Sequence, residues 1–171
     1  MIENALRYGL YLPPFGPFGD PAVLVDLAVR AEASGWDGVF LWDHLVSGVT
    51  LGEGVPDPHP IPVWVASTAG HPRVIRRAAA CDGIFPIRGN RTPAPDEVAG
   101  LLAALRRAGL PESRAFDIAV AGNASPAWQE PVTADLAGLA QAGMTWWMES
   151  LIHFDPIELS REIVGAGPPR G

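Results

Sequence analysis

The chain has 171 residues, 48% of them hydrophobic and 18% charged. That excludes disorder and is enough for one core burying roughly 70% of the unfolded surface. Twelve basic residues face nineteen acidic ones, for a formal net charge of -7, which excludes the basic footprint of a nucleic-acid binder. All twelve basic residues are arginine and there is one cysteine, Cys81. Lysine Schiff-base chemistry, a disulfide framework and a multi-cysteine metal site are therefore excluded.

No apolar run reaches the roughly 18 residues of a membrane span, and the N-terminus lacks a basic-then-apolar signal pattern. The expectation is a soluble, cytoplasmic protein in one domain, residues 1–171. Glycine and proline number 19 and 18, so turns punctuate the chain closely.

In chain order, residues 8–13 (YGLYLP) read as a strand stopped by the turn cluster Pro14-Phe15-Gly16-Pro17. Asp20-Pro21 reads as a helix start, an N-cap followed by proline at the first helical position. Val23, Leu24, Leu27, Ala28 and Ala31 then fall on one helix face, and Ser34-Gly35 ends it. Gly38–Leu41 is the next strand, completing a strand–helix–strand unit.

The pattern recurs with a strand at 62–67 (PVWVAS), a helix at 72–81 (PRVIRRAAAC) and a strand at 84–87. A helix begins at Pro95-Asp96-Glu97, followed by a strand at 116–121, a helix at 132–142, a strand at 145–148 and a last helix at 156–164. Every strand but the second is followed by a helix. Strands alternating with helices predict an α/β fold with a parallel sheet. Repeated small-residue junctions from helix into strand, at Ser34-Gly35, Cys81-Asp82-Gly83 and Ala142-Gly143, favour a barrel over an open sheet. Eight units usually need about 250 residues, and this chain has room for six. After the second strand, residues 45–61 (LVSGVTLGEGVPDPHPI) hold three glycines and three prolines with no helical period. A loop of that length is uncommon inside one domain.

Residues 38–44 (GVFLWDH) resemble the second-strand motif of the luciferase-like monooxygenases, flavin- and deazaflavin-dependent oxidoreductases built on a TIM barrel. Residues 61–67 with Gly70, Arg76 to Ala79 and Asp82-Gly83 are similar to that family's "PVWV…G…RAA…DG" segment. Residues 142–149 (AGMTWWME) resemble its final barrel strand, and residues 167–170 (GPPR) its C-terminal endings. The resemblance implies a TIM-barrel-like fold shortened to about six strand–helix units, with the family's third and fourth units replaced by residues 45–61. The third strand of the family carries a strained peptide that backs the flavin, and it has no counterpart here. A shortened sheet either closes as a smaller barrel or exposes two strand edges, and exposed edges invite a second chain. A homodimer is expected.

His44, with Asp43 before it, ends the second strand, where barrel active sites gather, and an ordinary imidazole pKa near 6.5 suits acid–base work. The resemblance implies that His44 contacts the cofactor ring; the alternative is a histidine merely hydrogen-bonded at a strand end. Ser67, Thr68, Ala69 and Gly70 run from a strand into the N-terminus of a helix, a natural anion site. In the family this segment holds the cofactor phosphate; otherwise it is an ordinary loop.

Arg88 and Arg91 follow the next strand and could clamp phosphate bidentately, or be solvated. Glu149 could pair with Arg88 or position a polar substrate. Tyr11, Pro14 and Phe15 could form an aromatic lip over a ligand. Trp146 and Trp147 should face opposite sides, one filling the interior and one under helices. His59, His71 and His153 have no metal-ligand spacing. No G-x-S-x-G elbow supports a hydrolase. The expected function is an FMN- or deazaflavin-dependent oxidoreductase or monooxygenase on a small-molecule substrate. A non-catalytic flavin- or ligand-binding protein and a dimerising scaffold are the alternatives.

Overall fold

The computed structural model describes residues 6–41, 62–68, 70–88, 91–128, 134–152 and 155–169. Strand β1 (Arg7–Leu12) leads through a short 3-10 turn (Gly16–Phe18) into α1 (Pro21–Ala33) and β2 (Gly38–Leu41). The sequence signal for α1 is met in detail: the Asp20 side chain accepts from the Ala22 N–H at 2.9 Å, with Pro21 at the first helical position. Next come β3 (Trp64–Ser67), α2 (Pro72–Ala79), β4 (Gly83–Pro86), α3 (Pro95–Arg107) and β5 (Asp117–Gly122). The last elements are α4 (Leu136–Gln141), β6 (Trp146–Ser150) and α5 (Ile157–Ala166).

Helix α4 begins later than its apolar pattern suggested. Asp135 caps it by accepting from the Gly138 N–H at 2.7 Å, so Ala134 and Asp135 lie outside the helix. Helix α2 stops at Ala79 rather than running to Cys81. The Cys81 N–H turns back to the Ala78 carbonyl instead.

All six strands are parallel, in the order β2-β1-β6-β5-β4-β3. The sheet curls into a half-barrel, and its terminal strands β2 and β3 meet through side chains. Phe40 of β2 stacks on Trp64 of β3 with ring centroids 5.4 Å apart, and Trp146 of β6 contacts both rings. The strand period of two separates the layers. Trp146, Met148 and Ala119 face the interior with Tyr11, Phe40, Trp64 and Phe85. Trp147, Ile118, Val120 and Ile84 face outward onto α2, α3 and α4. Leu10 and Leu12 face outward onto α1 and α5. The expected opposite facing of Trp146 and Trp147 is observed.

Interior glycines make room for these rings. A Cβ on Gly9 would lie 2.7 Å from the Phe40 ring, and one on Gly83 would lie 2.6 Å from Trp64 and 2.8 Å from the Asp117 carbonyl.

Candidate functional site

Parallel strands deliver their carboxyl ends to one rim of the half-barrel, and loops at such a rim carry most barrel chemistry. Strands β3 and β4 are neighbours in register, with Ser67 level with Pro86 and the Ile87 N–H donating to the Ser67 carbonyl at 2.7 Å. The pairing brings the turn after β3 beside the segment after β4. Arg88 closes the gap by donating to the Thr68 carbonyl at 3.3 Å. Two segments twenty residues apart in sequence, both expected to touch phosphate, thus lie side by side.

Their electrostatics centre on Glu97, which the sequence marked only as part of a helix start. It stands in the first turn of α3, where a carboxylate accepts from the free N–H groups and faces the positive end of the helix dipole. Both its oxygens take Arg91, at 2.6 and 2.8 Å, and the Ala94 N–H donates to it at 3.0 Å. The Arg88 Nε lies 3.5 Å away. Hydrogen bonding from Arg91, reinforced by the Ala94 N–H, pulls the Glu97 pKa down to about 2. The same bond raises the Arg91 pKa. Two guanidinium groups thus share the Glu97 carboxylate beside Thr68, with Asp96 in the same first turn of α3. Arg91 is held by two bonds to Glu97, and Arg88 by the longer ion pair together with its bond to the Thr68 carbonyl.

The α2 N-terminus offers fewer donors than its sequence suggested. Pro72 has no N–H, the Arg73 N–H goes to His71 Nδ1 at 3.3 Å, and the Val74 N–H goes to the His71 carbonyl. A Cβ built on Gly70 meets nothing within 4 Å, so the space beside it is open. Ser67 itself is buried.

Glu149 departs from expectation. Arg88 pairs with Glu97, and Glu149, on the same face as Trp147, points outward from the interior. It is fully buried. One oxygen accepts from Trp128 Nε1 at 2.6 Å and the Ser125 N–H at 3.0 Å, and the other from Trp147 Nε1 at 2.9 Å. Trp128 and Ser125 escaped sequence reading; the signal that could have found them is the acid two residues past Trp147, which must share its buried face. Tyr11 lies on the interior face, packed edge-on against Phe85 at 5.0 Å, and Phe15 stands half exposed beside the 3-10 turn.

Asp43, His44 and Ala69 lie outside the described residues, as do residues 45–61, His59, His153 and Arg170. Among the described residues, no three His, Cys, Asp or Glu side chains gather to hold a metal ion, and no helix is long and apolar enough to cross a membrane. No family model, curated protein or solved structure matches this chain.

Proposed function

We propose that this chain is a luciferase-like oxidoreductase that takes FMN or the deazaflavin coenzyme at the carboxyl ends of its strands. On this reading the half-barrel is a TIM-barrel-like frame lacking the third and fourth strand–helix units, working as a cytoplasmic homodimer on a small-molecule substrate. The observation that carries the proposal is the Arg88 side chain held against Thr68, near the open space at Gly70.

These residues fit the phosphate end of such a cofactor. Thr68 and Gly70 would donate backbone N–H groups to it, and Arg88 would swing from its looser contact with Glu97 to a bidentate bond. Arg91 would stay on Glu97 and keep that carboxylate from repelling the phosphate. When bound, the flavin supplies hydride transfer or oxygen activation, which the protein only orients and shields. Tyr11 and Phe85 would wall the ring from water, and His44, with Asp43 beside it in sequence, would move a proton at its imidazole.

Titration with FMN and then with the deazaflavin, followed by visible absorption, tests this reading. Saturable binding at about micromolar concentration is expected, weakened about tenfold or more in Arg88→Ala. Binding of neither cofactor would overturn it. A second reading, flavin binding without turnover, is favoured by the commitment of Glu149 to three N–H donors, which removes it from substrate contact. In that case His44→Ala changes affinity or spectrum alone.

A further inference from the structure

Strands β5 and β6 are parallel neighbours with Gly122 level with Glu149, so one step further along Asn123 stands level with Ser150. Ser150 is in turn level with Tyr11 of β1. A Cβ on Gly122 would strike the outward-facing ring of Trp147, which puts that position on the outer face. Alternation then turns Asn123 to the inner side with Ala121, and Ser150 to the inner side with Met148. Tyr11, Ser150 and Asn123 thus form one polar row across three adjacent strands at the carboxyl rim. Two residues earlier on their strands, Ala121 and Met148 continue the same face as an apolar floor, with Phe85 edge-on to Tyr11.

The hydrogen bonds of this row are unevenly used. Asn123 Nδ2 donates to the Ser150 carbonyl at 2.9 Å. A carbonyl can only accept, so that bond fixes which end of the amide is which and leaves Oδ1 as its unused end. Among the described residues Oδ1 accepts no hydrogen bond, and the Ser150 hydroxyl makes none. Both residues are half-buried. A ligand can therefore reach them, while the amide is already held in one orientation and has little freedom left to lose. An acceptor beside a hydroxyl donor complements a ring edge that carries an N–H next to a carbonyl. A carboxylate or phosphate would instead set its oxygens against Oδ1.

We infer, resting on the cofactor reading above, that Asn123 and Ser150 select the imide edge of the flavin or deazaflavin ring. Asn123 Oδ1 accepts from the imide N–H, and the Ser150 hydroxyl donates to the adjoining ring carbonyl. FMN and the deazaflavin both carry that edge. The phosphate contacts lie at the ends of β3 and β4, and the imide contacts at the ends of β5 and β6. The two are separated by two strand spacings, about 10 Å, a span that the ribityl arm and ring of such a cofactor bridge. Asn123 and Ser150 thereby set which way the ring enters, and neither takes part in the chemistry at its centre.

Fluorescence titration of the full chain with FMN and N3-methyl-FMN, and with the deazaflavin coenzyme and its N3-methyl derivative, tests this. The parent chain should bind the unmethylated cofactor at least about tenfold more tightly, because methylation removes the donor and sets a methyl group against Oδ1. In Asn123→Ala the preference should fall below about twofold, the coupling that a double-mutant cycle isolates. Ser150→Ala should weaken both forms by about three- to tenfold and keep the preference. Circular dichroism checks that both variants fold, and the comparison of the two ligands on the parent chain needs no variant. If no cofactor binds in either form, the cofactor reading falls and the imide contact with it. If methylated and unmethylated cofactor bind equally, or the preference is unchanged in Asn123→Ala, the imide contact alone is overturned and the cofactor reading stands.

Discussion

A carboxylate buried without a cation survives only if hydrogen bonds replace the water it lost. Glu149 has three such bonds, two from indole N–H groups and one from the backbone N–H of Ser125. It ties the loop after β5 to the outer face of β6, close to the rim where a cofactor would sit. Glutamine in its place keeps one acceptor oxygen and turns an NH2 group toward an N–H donor. Glu149→Gln should therefore lower the unfolding free energy by about 2–4 kcal/mol, and Glu149→Leu by at least as much, since all three donors are then unpaired. Urea denaturation followed by tryptophan fluorescence checks this, and a loss below about 0.5 kcal/mol would show that the carboxylate holds nothing. The sequence placed Glu149 at a strand end, which suggested an exposed substrate contact. Alternation already put it on the Trp147 side, but its main partner, Trp128, comes from a loop 21 residues away with no periodic signal of its own.

At the scale of elements, two of the junctions read from the sequence, Ser34-Gly35 and Ala142-Gly143, share one job with Gly109, which sequence reading missed, while the Cys81-Asp82-Gly83 junction ends its helix differently. Three helices end alike, with Gly35, Gly109 and Gly143 at positive φ and the next residue's N–H reaching back five positions, Trp36 to Ala31, Leu110 to Leu105 and Met144 to Leu139. Only glycine adopts that backbone at little cost, and the buried residue after it seals the turn. The residue before each even-numbered strand then splints its neighbour: Asp37 accepts from the Tyr8 N–H, Asp82 from Val63 and Thr145 from Ile118, at 2.8, 2.9 and 3.0 Å. The Asp82-Gly83 pair, read as a junction in the sequence, was half of one such device. Its other half, the neighbouring strand, depends on sheet order, which local pattern does not contain. The start of α3 was legible for the same local reason, whereas the grip of Arg88 and Arg91 on Glu97 depended on how the loop between them folds. That grip has a pH signature. The folded pKa of Glu97 lies near 2, below its ordinary 4.5. Its stabilising contribution is thus complete above about pH 4.5 and is lost as pH falls toward about 2. Glu97→Gln should lower Tm at pH 6 and leave it closer to the parent's at pH 2.5, and an equal gap at both pH values would count against the ion pair. High salt should narrow the gap at pH 6, because the groups are exposed.

For the whole molecule, the decisive feature is a seam. Strands β2 and β3 end the sheet, and among the described residues no backbone hydrogen bond joins them. Phe40, Trp64 and Trp146 hold the curl across it, with centroid distances of 5.2 to 5.8 Å. They do so by area and ring geometry, since the buried indole N–H groups of Trp64 and Trp146 have no hydrogen-bond partner among the described residues. Each such orphan donor costs about 1–3 kcal/mol, so the apolar contact must outweigh it. Neither the strand count nor the hydrophobic pattern could reveal this seam, because it joins side chains at opposite ends of the sheet. Phe40 is the hinge of the arrangement, touching both tryptophans from the β2 side. Phe40→Ala should cost about 2 kcal/mol, less than a fully buried phenylalanine because the ring is only partly covered. The loss should also be local. Amide exchange should speed up in β2 and β3 at the seam, while β5 and β6, paired on both sides, keep their protection. Val39→Ala is the control, because Val39 sits on the same strand, is 37% exposed and lies outside the ring cluster. If Phe40→Ala and Val39→Ala behave alike, or if exchange rises uniformly across all six strands, the rings do not hold the half-barrel closed.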